Sequence, residues 1–436
     1  MNFLDNFVLP QSSEHIELLH YLLMLIMFLF IPFISILFGG TALSIYYRRK
    51  GLNENNPIFI RFAHDIIETL TINKSIGIIL GIVPLLTTVL IIAQLLHNTE
   101  SPSVYYLLTS FILTTVSVIL IYTYRYSVIF SRLFDNIKNI IPEDNNTSEI
   151  IKNYRDGSRA LSYRSGRYGL LLLLIALYIF VAGISNTLYS LYSFEVIVRF
   201  LQFLAAAFSI TGGAIFFSFF YWDGGRKIDD DIYRTFIKKI AVNITFAGTI
   251  VQPLFLTYDF IALPSAALSG AVFTYGMISI LLLFIVYHLL YSMIRDANLK
   301  MSGPVFYVLI FSMFGVIVKD QLAMDNSNKL NSVILNAKYI EYFNEISGAN
   351  KLAAVVSGEQ IYKNICSSCH SFDHKIVGPP YKQTLPKYEG KLDKLVAFIR
   401  NPTQNNPGYP PMPNPGLKPN EAQAVAEWLM KNYKTK

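Results

Sequence analysis

The chain has 436 residues, 53% of them hydrophobic and 15% charged, with a net charge of +7. A soluble domain carries about 25% charged residues, so this composition excludes a string of soluble domains. The basic excess comes with no basic stripe or nucleic-acid motif, which argues against a nucleic-acid partner, and the two cysteines leave no thiols for a four-ligand zinc site.

The apolar residues gather in runs of about 20 or more, the length needed to cross about 30 Å of hydrocarbon. Eight such spans are predicted, over 19–46, 75–97, 104–130, 168–190, 197–221, 240–262, 268–293 and 303–324. The expected fold class is therefore all-α. A polytopic transmembrane helix bundle of about 8 spans fills 1–324, a linker covers 325–351, and a small soluble domain covers 352–436. Orientation follows from Lys and Arg in short loops. The first loop holds Arg48, Arg49, Lys50, Arg61 and Lys74, and the third holds Arg132, Lys138, Lys152, Arg155, Arg159, Arg164 and Arg167. Arg226, Lys227, Arg234 and Lys238 follow in the fifth, and Arg295 and Lys300 in the seventh. The loops near 98–103, 191–196 and 263–267, like the first 47 residues, contain neither Lys nor Arg. This bias predicts a multi-pass membrane protein with both termini outside and the odd-numbered loops inside. With no basic n-region and short apolar core at the start, the first span is expected to be a true membrane helix and not a signal peptide.

Within the spans, Pro32, Pro84, Gln94, Gln202, Gln252, Pro253, Lys319 and Asp320 are expected to be structural. Lys319, near the end of the eighth span, is expected to snorkel outward. His20 and His97 fall at the outer ends of neighbouring spans, where two imidazoles can hold a haem b or simply meet headgroups and water. His64 and His288 lie toward the other side.

Phe28-Leu-Phe-Ile-Pro32 in the first span, and Val198-Arg199-Phe200-Leu201-Gln202 followed by Thr211-Gly212-Gly213 in the fifth, resemble the large subunit of cytochrome bd-type quinol oxidases. The departures fall on that family's haem ligands. Met27 and Gln202 stand where the resemblance implies histidines, and there is no glutamate between Val104 and Phe130. The resemblance implies a relative that has lost oxidase haems; quinone or haem b in the bundle remains open.

Residues 325–351 read as a polar, Asn- and Ser-rich connector, with a short helix expected around Ala337–Phe343. Beyond it lies Cys366-Ser-Ser-Cys369-His370. Two thiols one helical turn apart can add across the two vinyl groups of one haem, and the adjacent imidazole then reaches the iron. A second ligand is expected downstream. Met412, in the rigid run Gly408-Tyr-Pro-Pro-Met412-Pro413, fits, whereas His374 is too close to His370 to reach the opposite haem face and Met430 lies on an amphipathic helix.

With these motifs in place, residues 352–436 resemble a class I cytochrome c domain. Gly358 and Tyr362 match its N-terminal helix, and Glu421–Lys431 with Trp428 match its C-terminal one. Gly378-Pro379 matches the turn whose proline carbonyl receives the proximal histidine's ring N–H, and Met412-Pro413 matches the methionine loop. The resemblance implies one covalent haem c with a His/Met pair, which raises the haem potential. It also implies an electron-transfer subunit of a respiratory complex, working with other subunits of that complex, a periplasmic electron carrier or quinone; the alternatives are a divergent bd-like quinol oxidase subunit with a fused haem c, or a membrane anchor whose only redox site is that haem. The domain's 11 Lys and Arg against six Asp and Glu suit an acidic partner or simply solubility.

Overall fold

A computed structural model describes residues 11–97, 99, 101–138, 145–185, 193–295, 299–346, 357–403 and 408–434. All eight expected spans are helices: Ser13–Asn53, Lys74–Leu95, Ser103–Asp135, Glu149–Ile184, Phe194–Tyr221, Asp231–Ala262, Gly270–Arg295 and Ser302–Asn344. Among the described residues there is no sheet, only one isolated bridge between His370 and Lys375. A membrane helix satisfies its backbone internally, which is why long apolar runs resolve into this one element.

Small residues set the close packing between the fifth and sixth spans. A Cβ on Gly248 would collide with the Ser209 backbone nitrogen at 2.7 Å, and Ser209 Oγ meets Thr249 Oγ1 at 2.5 Å. In lipid, such contacts carry helix association, since burying apolar surface gains little there. The sixth span is broken into Asp231–Ile250 and Gln252–Ala262. Pro253 lacks the N–H that would pair with the Thr249 carbonyl, and the Tyr287 hydroxyl donates to that carbonyl instead, at 2.8 Å. The first loop also forms an amphipathic helix, Pro57–Leu70, with Asn56 capping its start.

One expectation is corrected. Lys319 does not snorkel. It is 1% exposed and pairs inward with Asp259 and, at 2.8 Å, with Asp320; Asp259 also accepts from Arg199 Nε at 2.9 Å. Two carboxylates within reach inside the bundle offset the cost of burying the amine. The polar connector is helical over its described part. The eighth span continues as a single helix, Ser302–Ile346, and the short helix expected at Ala337–Phe343 is its last part; residues 347–351 lie outside the described residues.

Three asparagines explain why so polar a stretch stays helical. Asn326 Nδ2 donates to the Ala267 carbonyl at 3.1 Å, and Asn331 Nδ2 to the Leu95 carbonyl at the end of the second span at 2.7 Å. Asn336 Oδ1 accepts from Ser13 N at the start of the first span at 2.9 Å. Each satisfies a backbone group that a helix end or loop leaves open. Asn336 Nδ2 then donates to the Asn364 carbonyl at 3.0 Å, which ties the C-terminal domain to the same helix. The domain therefore sits on the side of the bundle where the first span starts and the second and sixth end.

Candidate haem site

The C-terminal domain has its own core, built from Ile361, Ile365, Phe372, Leu385, Leu395, Ile399, Val425 and Leu429, with Val333 of the long helix packed into it. Its N-terminal helix, Gly358–Ile361, starts at Ser357, whose Oγ accepts from Gln360 N at 3.2 Å. It crosses the C-terminal helix Pro419–Asn432 at Gly358, where a side chain would run into the Ala424 carbonyl and, at 2.6 Å, Trp428 Cβ. Tyr362 stacks on Trp428 with ring centroids 4.8 Å apart, and Phe372 and Tyr381 complete the aromatic cluster.

From this crossing the chain turns tightly into the Cys366–His370 segment. Ser367 N bonds the Tyr362 carbonyl at 2.8 Å, and His370 N bonds the Cys366 carbonyl at 2.9 Å. The returning loop is pinned to the same turn, with Gly378 N on the Cys369 carbonyl at 2.8 Å and Tyr381 N on the Ser371 carbonyl at 2.9 Å. A Cβ on Gly378 would overlap the His370 ring, 2.7 Å from Nδ1, so only glycine lets the loop come this close.

His370 Nδ1 lies 2.9 Å from the Pro379 carbonyl, and its ring stacks on Tyr381 at 4.9 Å. Since a carbonyl only accepts, Nδ1 carries the proton and Nε2 keeps its lone pair for a metal. Burial lowers the His370 pKa, with the Pro379 carbonyl a partial offset, so the ring is held in the neutral, ligating form. Burial also pushes the Cys366 thiol up to about 12, and that of Cys369 upward.

These groups face a cavity of about 390 Å³. Its walls include Cys366, Cys369, His370, Pro379 and Met412, together with Leu385, Leu395, Phe398, Ile399 and Leu429. A mostly apolar chamber with two free thiols and a neutral imidazole on one wall and a thioether in a proline loop fits a covalent haem. The remaining candidates lie apart from it. His374 is exposed, with Nδ1 3.1 Å from Ser371 Oγ, and Met430 packs on the domain core.

In the bundle, His20 faces the long helix, with Nε2 3.4 Å from Asp325 Oδ1. It lines a separate cavity of about 460 Å³ whose walls include Ser367 and Ser368 of the Cys366–His370 turn, and His97 is not among those walls. At the end of the second span it is His15, not His20, that comes near, 3.3 Å from Gln94 Oε1. Asp259 and Gln321 do not stand out in the sequence. A lone carboxylate in an apolar run was the available signal for the first; for Gln321, beside the span's end, there was none.

The fold and the site thus define a membrane helix bundle carrying a small c-type cytochrome domain. Residues 353–429 match the family described as cytochrome C oxidase, cbb3-type, subunit III. Cytochrome c-551 of Azotobacter vinelandii is 38% identical over 78 residues, which is 17% of this chain and 95% of that protein. Cytochrome c-551 of Stutzerimonas stutzeri is 38% identical over 82 residues, 18% of this chain and 79% of that protein, and that of Pseudomonas aeruginosa is 37% identical over 76 residues, 16% and 73%. No solved structure matches the chain. Through its C-terminal domain, the chain belongs to the c-type cytochrome family of the cytochromes c-551.

Proposed function

We propose that the protein is an electron-transfer subunit of a membrane respiratory complex, holding one haem c on the periplasmic face of a bacterial inner membrane. Cys366 and Cys369 would form the thioethers, and His370 Nε2 and Met412 would be the axial ligands. When bound, the haem supplies a one-electron couple whose potential a His/Met pair raises. This chain's own residues do the rest. Pro379 fixes the imidazole tautomer, Gly378 permits the close approach, and the apolar walls exclude water from the iron. The observation that carries the reading is the convergence of His370, both cysteines and Met412 on one cavity, with His370 Nδ1 tied to Pro379.

The orientation rests on the Lys/Arg bias, which leaves the domain's side of the bundle poor in basic loops. Electrons would pass between the haem and quinone, a neighbouring redox subunit or a periplasmic carrier. Kinship with cytochrome c-551 favours a relay over a complete enzyme. A bis-His haem b on His20 and His97 has no support in the geometry, since His20 turns toward Asp325.

A pyridine haemochrome spectrum should show c-type haem at one per chain, and C366A/C369A should abolish covalent haem staining. Met412→His should keep the haem but lower its potential by a sizeable part of the about 0.8 V that axial ligands command. Unmodified cysteines in cells competent for cytochrome maturation would refute the proposal.

A further inference from the structure

The haem cavity has one wall that the cytochrome domain does not supply. Leu330 and Val333, one turn apart on the long helix Ser302–Ile346, line it together with Cys366 and Cys369. Both lie before the family-matched residues 353–429. Val333 is 7% exposed and packs into the domain core, and Ile340, two turns further along the helix, packs on the same core.

Val333 also lines the cavity of about 460 Å³ beside His20, so it stands as a partition between the two spaces. Their characters differ. Around the second are Glu17, His20, Asp325 and Lys329, polar groups that attract water. Ser367 and Ser368, the residues between the cysteines, belong to its walls, as does Ser332 of the helix. Leu330 lines the haem cavity and not this one. The helix therefore runs along the Cys366–Cys369 turn, with apolar side chains toward the haem cavity and polar ones toward its neighbour.

Thioethers to Cys366 and Cys369 would bring the vinyl-bearing edge of a haem to this wall. Ferric iron carries one more positive charge than ferrous iron. Water at that edge thus favours the oxidised state and lowers the potential, whereas an apolar wall raises it. We propose that Leu330 and Val333 are haem-site residues contributed by the membrane helix, closing the cysteine edge of the pocket against the polar cavity and holding the potential up. The proposal rests on the haem c reading of Cys366–His370 and gives the bundle a part in setting that haem's potential.

The test is the midpoint potential of the full-length protein in detergent, measured by spectroelectrochemistry, with covalent haem and the absorption spectrum recorded for each sample. Leu330→Asn should keep both and move the one-electron equilibrium about tenfold toward the oxidised haem, a fall of about 59 mV. Val333→Thr, which keeps the side chain's shape but adds a hydroxyl, should lower the potential as well. Leu330→Met, apolar and of similar volume, should match wild type. So should Tyr342→Asn, at an exposed position further along the same helix. Unchanged potentials in both Leu330→Asn and Val333→Thr would overturn the proposal. An equal fall in Tyr342→Asn would do so too, since it would mark a general effect of disturbing the helix. If Leu330→Asn fails to retain haem, Val333→Thr decides on the same criterion. Wild type without covalent haem defeats the electron-transfer reading and this inference with it, whereas haem-bearing wild type and variants of equal potential defeat the inference alone.

Discussion

His64 shows how a single side chain registers its surroundings. It lies in the amphipathic loop helix Pro57–Leu70, and burial, reinforced by Arg48 and Arg132, lowers its pKa to about 4. In the unfolded chain it titrates near 6.5, so between those values the unfolded state holds the extra proton. Its contribution is therefore complete above about pH 6.5 and drains away as pH falls toward 4, at up to about 1.4 kcal/mol per pH unit. Thermal unfolding followed across that range should show the decline, and His64→Gln should flatten it. At His370 the same cause, burial, also lowers the pKa and so favours the neutral imidazole that the proposed haem would need.

Among the helices, the most consequential contact is the one that crosses three spans. Asp259, 3% exposed, is held by Arg199 and Lys319, so removing one partner strands a charge in a poorly hydrated interior. Lys319→Met should cost about 3–5 kcal/mol in detergent unfolding, and adding Asp259→Leu should recover most of it, because Arg199 is partly exposed and can reach water. Additive losses would show that the pair is not coupled. The eight spans were legible because length and apolarity specify a membrane helix by themselves. The Cys366–His370 motif stands out as well, because the chemistry proposed for it demands a local spacing. The ion network does not, since Asp259 and Lys319 stand 60 residues apart and each alone looks like an interfacial polar residue. The helical course of 325–346 was hidden for a related reason. Asparagine and serine are poor helix formers on their own. Here Asn326, Asn331 and Asn336 each find a partner supplied by another part of the bundle, and tertiary contact overrides propensity.

For the molecule as a whole, Asn336 is the hinge pin. Buried at 4% exposure, it bonds the start of the first span and the carbonyl of Asn364 two residues before Cys366. Asn336→Ala should remove both bonds and leave Ser13 N and the Asn364 carbonyl to find water, at a cost of about 1–3 kcal/mol. Hydrogen exchange should speed up together around residues 13–16 and 364–370 while the haem spectrum stays unchanged. Faster exchange at only one of the two places would show that they are not joined through this side chain.

The unbroken helix from Ser302 to Ile346 has a further consequence for how electrons are traded. A cytochrome on a slack leash sweeps a volume and can shuttle between donor and acceptor, as a boat swings about its anchor. One bolted to a mast has a single address and a fixed height above the bilayer. On the proposed relay role, donor and acceptor would each have to come to that point.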